Sequence, residues 1–498
     1  MGRFQKIVVL LRLSGLMAGV FFLLLQVTSC SDDPKEIPGG PVVPPEPVPF
    51  DINSINDTYP DVVPFEKYPL WGPYNVHDPS IIKEGEYYYC YNTDVGFGIT
   101  VRQGIQIRRS KDLVQWEFLS WAFEALPPLG AAFIRQNAGV PNNGLWAPSV
   151  IKVGNEFRLY YSLASNKLRL SVIGLATSAT PTGPWIEKGI VVTSLSNSDV
   201  HTNAIDPSIL IDKNGGHWMY YGSAWDGIYI MKLNPATGLA LVSSDKGNRI
   251  AHRGFTSGMV NGNIEGPEII YNETLNKYYI FISYDWLETK YNVRVGRSDS
   301  PEGPFYDFNN NDINQEIDHG PMIIAPYQFK GHGGWQGTAH CSVFEDDGQY
   351  YMAHQGRPGV NKYYMVLHVR KMFWTNNGWP VVSPERYSAA EQTPVLSTEL
   401  AGEWEQIVFD YKVVPGYANE QTLPDFQIAG TLQLGQDGAI NGDANNHWIY
   451  NAPWLELNYN NSKIDSVWVE RGRDWENKKP CLVFTGLNNA GTTLWGKK

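Results

Sequence analysis

The stretch IDPSILIDKNGGHWMYYGS, residues 205–223, decides the fold. A short apolar strand leads into a polar turn, and an aromatic-rich strand follows, which is the pattern of a β-hairpin. The same pattern recurs as HDPSIIKEGEYYYCYNTD from His77 and WAPSVIKVGNEFRLYYS from Trp146. It recurs again as EGPEIIYNETLNKYYIFISYD from Glu265 and AHCSVFEDDGQYYMAHQGR from Ala339. Each copy is followed by a second strand pair with its own echo, from Ile105, Ile173, Ile228, Val293 and Leu367. No helical periodicity interrupts the series.

Aligning Asp78, Ala147, Asp206, Gly266 and His340 gives spacings of 69, 59, 60 and 74 residues. Repeated four-stranded units point to a β-propeller rather than a β-sandwich. Five copies predict five blades over residues 66–392, so the chain is all-β. The spacing exceeds the usual blade period of about 40–50 residues, and the surplus is assigned to loops.

The first strand of a propeller blade lines the central channel, so aligned positions converge on one mouth. One ring is Asp78, Ala147, Asp206, Gly266 and His340; the ring one residue earlier is His77, Trp146, Ile205, Glu265 and Ala339. Two aspartates, a glutamate, two histidines and a tryptophan therefore crowd one hollow. Three carboxylates there suit glycoside hydrolysis: an acid for the leaving oxygen, a base or nucleophile opposite, and a third to tune the acid. Residue logic leaves Glu265 and Glu268 in competition, because Glu268 falls in the column of Ser80, Ser149 and Ser208. His77 either binds substrate or hydrogen-bonds inside the channel. Arg357 either clamps sugar hydroxyls or pairs with a channel acid. Trp335 and His332 belong either to a mouth loop or to the surface.

Residues 66–390 resemble glycoside hydrolase family 43, the five-bladed propeller hydrolases, and within it the α-1,5-L-arabinanases. The resemblance is carried by HDPSI, LWAPSVIKVGNEFRLYYS, NAIDPSILIDKNGGHWMYYGSAWDGIYIMKL, NIEGPEII, VRVGRSDSPEGPF and NNGWPVVSPERY, in that order. It implies Asp78 as general base, Glu265 as general acid and Asp206 as the residue that tunes and orients the acid, with inversion at the anomeric carbon. It implies Trp146 as a stacking residue, and Asn203 and Ser223 as lining of the sugar pocket. His340 matches the histidine that helps hold a calcium ion (Ca2+) in the channel of this family. Calcium prefers oxygen ligands, so water would supply most of the shell. The family's GPGH turn is here GTAH, and SYDWLETKYNV replaces a cysteine-rich segment. Both departures leave endo or exo action open.

The expected substrate is arabinan, cut internally. The alternatives are an exo-acting α-L-arabinofuranosidase or β-xylosidase and, from another class, a non-catalytic glycan-binding lipoprotein. From Gly402 the echoes stop, and short strands predict a small β-barrel or sandwich over residues 400–498. GEWEQIVFDY and DWENKKPCLVFTGLNNAGTTLWGKK resemble the lipocalin-like domain appended to family 43 proteins. That domain is expected to pack against the propeller rather than to bind glycan.

The 498 residues carry a formal net charge of −12. This argues against nucleic acid or an anionic membrane surface as partner. Residues 1–30 read as an export signal, with Arg3, Lys6 and Arg12 before an apolar run and VTSC at its end. VTSC resembles a bacterial lipobox with Cys30 as the lipidated residue, and Ser31-Asp32-Asp33 resembles the acidic tag of Bacteroidetes surface lipoproteins. Residues 31–65 follow as a proline-rich spacer. The expectation is a monomeric, cell-surface outer-membrane lipoprotein touching the membrane only through that anchor. Cys90, Cys341 and Cys481 are too few and too scattered to predict a disulfide framework.

Overall fold

In the computed structural model the described residues are 51–55, 59–96, 101–197, 201–253, 255–256, 259–260, 263–315, 321–410 and 419–498. The export signal, Cys30 and the proline-rich run to residue 50 lie outside them. Four sheets each hold four consecutive antiparallel strands, as the hairpin repeats require. Their innermost strands are Ser80–Glu84, Trp146–Val153, Ser208–Ile211 and Ile264–Asn272.

Among the described residues there are thus four four-stranded blades, not the expected five. The fifth copy of the motif spans Ser342–Asp346, Gln349–Pro358, Val366–Trp374 and Pro380–Val382, and it is absorbed into a seven-stranded sheet. Its second strand explains the difference. Gln349–Pro358 runs past its inner partner, whose last pairing is Ser342 with Ala353. The exposed edge would invite foreign pairing. It is covered instead by Trp335–Gln336, in register with Pro358 and Arg357. Tyr327–Gln328 and then Gln427–Ile428 extend the sheet, the last pairing being parallel. Ser342–Asp346 still neighbours both Ile264–Asn272 and Ser80–Glu84, so the five innermost strands follow one another around a propeller-like ring.

The aromatic runs are core, as their sequence suggests. Tyr160, Tyr161, Tyr220, Tyr221 and Tyr278 are fully buried. Burying each such side chain is worth about 1.5–3 kcal/mol. Two of the hydroxyls reach across sheets: Tyr160 donates to Gly238 O at 2.9 Å and Tyr220 to Pro301 O at 2.6 Å. Tyr59 and Val63, placed by sequence at the end of the spacer, are buried in the largest apolar cluster.

One α-helix, Pro128–Gln136, stands between the first and second sheets, where sequence periodicity gave no helix. Proline fits the first turn because its missing N–H would be unpaired there anyway. The carboxylate of Glu187 accepts the N–H groups of Leu129 at 2.9 Å and Gly130 at 3.3 Å.

From Gly402 the chain forms a closed eight-stranded barrel, sealed by pairing of Gly402–Val408 with Thr493–Lys497. Trp404, Leu432, Leu455, Leu457, Val467, Phe484 and Leu494 fill its interior. Residues 52–498 constitute one compact unit. Cys90, Cys341 and Cys481 are buried free thiols.

Candidate active site

The aligned column shares one backbone conformation. Asp78, Ala147, Asp206, Gly266 and His340 have φ of 52°, 35°, 59°, 56° and 51°. Left-handed backbone is unfavourable for residues with a Cβ, so each must be held by its surroundings. The hold comes from the preceding sheet. The N–H of Ala147 donates to Thr93 Oγ1 at 2.7 Å, that of Asp206 to Ser162 Oγ at 3.0 Å, that of His340 to Ser283 Oγ at 2.9 Å, and that of Asp78 to Gln355 Oε1 at 3.0 Å. Thr93, Ser162, Ser283 and Gln355 occupy one position, two beyond the residue paired with Ser80, Ser149, Glu268 or Ser342.

The same position in the third sheet is Gly222, two beyond Tyr220, which pairs with Ser208. A Cβ there would lie 2.5 Å from Thr202 Oγ1 and 2.6 Å from Gly227 O. No side chain fits, so the N–H of Gly266 donates to Asp206 Oδ2 at 3.2 Å instead. The single break in the ring thus orients a carboxylate of the candidate site.

Asp78 is buried, with His77 Nδ1 2.7 Å and His340 Nδ1 2.9 Å from its Oδ1. Thr93 Oγ1 donates to its Oδ2 at 2.5 Å. Burial works to raise its pKa, but the two histidines override it and hold the carboxyl well below the usual range. Asp78 is therefore an anion at neutral pH. Burial lowers the pKa of His77 despite Asp78, so that ring stays neutral. Burial also opposes a charge on His340, but Asp78, with Asp206 and Glu265, pushes its pKa up to about 9.

Glu265 begins beside a register shift in its strand, which re-aims it. Its Oε2 accepts from Ser223 Oγ and its Oε1 from the Tyr291 hydroxyl, both at 2.7 Å. Close approach of His340 to Gly266 explains the glycine, since a Cβ would lie 2.9 Å from His340 Nδ1. Burial pushes the Asp206 pKa well up, and the charges of Glu265 and Asp78 add to this while His340 offsets part of it.

Glu268, the competitor, serves another purpose. It accepts the Val343 N–H at 2.8 Å and the Ser208 hydroxyl at 2.8 Å, stapling the fourth sheet to its neighbours. Ser80, Ser208 and Ser342 do the same through their hydroxyls, accepting the N–H of Val150, Ile269 and Ile81. Trp146 is half-buried at the head of its strand. Asn203 bonds Ser194 Oγ through its Oδ1 and Ser223 O through its N–H, and none of these partners is a carboxylate. Trp335 is core, stacked on His332 and edge-on to His368, and not part of a mouth loop. Arg357 is buried and donates to Lys362 O at 2.7 Å. Sequence reasoning missed Thr93 and Tyr291. A hydroxyl or amide at the end of four of the five second strands was the available signal for Thr93; Tyr291 has no counterpart in the repeats.

For a calcium ion, His340 offers one ring nitrogen beyond the one facing Asp78. Among the described residues it joins no set of three side chains able to share an ion. The donor set fits only an ion whose shell is mostly water.

Residues 72–380 match the family described as glycosyl hydrolases family 43, and residues 384–496 match a C-terminal lipocalin-like domain. An extracellular endo-alpha-(1->5)-L-arabinanase of Thermotoga petrophila is 29% identical over 464 residues, covering 84% of this chain and 93% of that protein. The crystal structure of endo-1,5-alpha-L-arabinanase from Thermotoga petrophila RKU-1 superimposes with a TM-score of 0.72 at 27% identity, covering 86% of this chain and 98% of that one. An extracellular exo-alpha-(1->5)-L-arabinofuranosidase of Cellvibrio japonicus is 31% identical over 322 residues, covering 62% of this chain and 86% of that protein.

Proposed function

The chain belongs to family 43 of the glycosyl hydrolases, and we propose that it cuts α-1,5-linked L-arabinan internally, by single displacement with inversion. The observation that carries the reading is the gathering of Asp78, Asp206 and Glu265, with their partners, around one mouth. Endo action is favoured because the Thermotoga petrophila endo-enzyme matches 84% of the chain.

Asp78, ionised beside His77 and His340, takes a proton from water as the water oxygen bonds the anomeric carbon. The glycosidic C–O bond breaks, and the leaving oxygen takes the proton from Glu265. Asp206, buried and bonded to the N–H of Gly266, tunes and orients the acid beside it. The Ser223 and Tyr291 hydroxyls fix both oxygens of Glu265 in place. Trp146 offers a flat face for a furanose ring, and His77, Asn203 and Ser223 line the pocket. Calcium at His340 would supply positive charge beside these carboxylates, held by one imidazole nitrogen and water.

The relatives are named extracellular, which supports a secreted protein. Export through residues 1–30, lipidation at Cys30 and a spacer before a catalytic region of residues 66–392 would place a monomer at the outer-membrane surface, with residues 400–498 packed as support. Chromatography of products from linear arabinan, branched arabinan and xylan tests the reading. A spread of arabino-oligosaccharides is expected. Arabinose alone would replace endo with exo action, and products from xylan alone would overturn the substrate.

A further inference from the structure

Gln421 lies far from the catalytic repeats in sequence, between the first barrel strand and the short strand Gln427–Ile428. Its side chain is nevertheless completely buried against the fourth sheet. Gln421 Oε1 accepts the Trp286 N–H at 2.6 Å and the Asn263 side-chain amide at 3.2 Å. Its Nε2 donates to Asp285 Oδ1 at 3.1 Å, and its backbone carbonyl accepts the Thr289 hydroxyl at 2.6 Å.

These partners are the approaches to the candidate acid from both sides. Asn263 stands two residues before Glu265. Thr289 stands two residues before Tyr291, whose hydroxyl bonds Glu265 Oε1 at 2.7 Å. Asp285 fastens the same two segments: its N–H reaches Asn263 O at 3.1 Å, and its Oδ2 accepts from Asn292 at 2.7 Å. Arg253 closes the cage, contacting Asp285 Oδ1 at 2.8 Å and Asn263 O at 2.9 Å. Asn263, Asp285, Thr289, Asn292 and Arg253 are all buried. A buried amide bonded through its side chain and backbone is fixed in direction, and whatever it bonds is fixed with it.

We propose that Gln421, contributed by the C-terminal region, is a positioning residue for the general acid, setting Glu265 and Tyr291 at their working separation. The region after residue 400 then has a part in catalysis without touching sugar. This rests on the reading of Glu265 as the acid.

The test uses the full chain and two substrates that differ in need for an acid. One is linear α-1,5-arabino-oligosaccharide, whose leaving alcohol must be protonated. The other is the 2,4-dinitrophenyl glycoside of α-1,5-arabinotriose, whose leaving phenolate needs no proton. Gln421→Ala is expected to lower kcat on the first by about 10-fold or more and on the second by less than about twofold. Equal losses on both, or no loss on either, would overturn the inference. If Gln421→Ala does not fold, Thr289→Val, which removes only the hydroxyl bonded to the Gln421 carbonyl, is judged by the same selectivity. Glu265→Gln serves as reference. Should it lack that selectivity, the assignment of the acid fails; should it show it while Gln421→Ala does not, only the role of Gln421 falls.

Discussion

The backbone N–H of Gly266 donates to Oδ2 of Asp206 at 3.2 Å, where the equivalent N–H groups of the other sheets bond a threonine, serine or glutamine. Gly222 makes this possible by having no side chain to offer. The residue after the acid is thereby tied to the neighbouring carboxyl group, and the distance between the two acids is set by backbone.

Asp206→Asn separates orientation from ionisation. The amide oxygen can still accept the Gly266 N–H, but the group can no longer ionise beside Glu265. The expected result is a melting temperature close to that of the parent and a fall in kcat on linear arabinan of about 10²-fold or more. A kcat within threefold of the parent would remove Asp206 from the chemistry.

Thr93 joins two sheets and the base, accepting the Ala147 N–H at 2.7 Å while donating to Asp78 Oδ2 at 2.5 Å. Thr93→Val keeps the shape and loses both bonds. Leaving a buried N–H and a carboxylate oxygen short of a partner costs about 1–3 kcal/mol each. Urea unfolding should show a loss of that order, together with roughly tenfold lower kcat from a misaimed base. Unchanged stability would mean that the two bonds contribute nothing net.

Most of this site was legible because the repeat carries it. The alignment of Asp78, Ala147, Asp206, Gly266 and His340 reflects a shared backbone geometry, and a shared geometry leaves a shared sequence. Gln355 and Thr93 were legible in principle, as polar ends of aromatic strands. Tyr291 and Gln421 were not, because each acts once and through partners distant in the chain; Gln421 and Asn263 are 158 residues apart. The helix at Pro128–Gln136 escaped for a related reason. At nine residues it is too short to show its period clearly, and its cap is Glu187 from another strand. The blade count failed at the fifth copy because strand pairing across an edge leaves no local pattern.

Glu268 supplies a prediction about stability rather than rate. Burial pushes its pKa up to about 7, despite the Val343 N–H and Ser208 hydroxyl that favour the anion. An unfolded chain would lose this proton near pH 4.5, while the folded protein keeps it to about pH 7. Between those values the unfolded state binds fewer protons, so this group lowers stability as pH rises, by about 3 kcal/mol in all. Glu268→Gln stays neutral throughout and keeps an acceptor for Val343. Its stability relative to the parent should climb from about pH 4.5 to 7 and then level, with kcat within about twofold. A pH-independent difference, or loss of turnover, would contradict the stapling role.

Lys497 supplies the last prediction. Its Nζ lies 3.0 Å from Glu385, 3.1 Å from Asp474 and 2.8 Å from Glu476, all within reach of one cation. Glu385 belongs to the segment leaving the seven-stranded sheet, and the other three groups belong to the barrel, so the ammonium locks one to the other. Burial, with Glu476 adding, raises the Glu385 pKa well above the usual range, and Lys497 only partly offsets this. Removing the cation would strand buried carboxylates. Lys497→Met, similar in length, should therefore cost about 3–5 kcal/mol at neutral pH. The loss should shrink as pH falls through the carboxylate range, because protonated acids no longer need the partner. Thermal unfolding at several pH values reads this directly. A Lys497→Met variant as stable as the parent at neutral pH would show that the three acids tolerate one another without the ammonium.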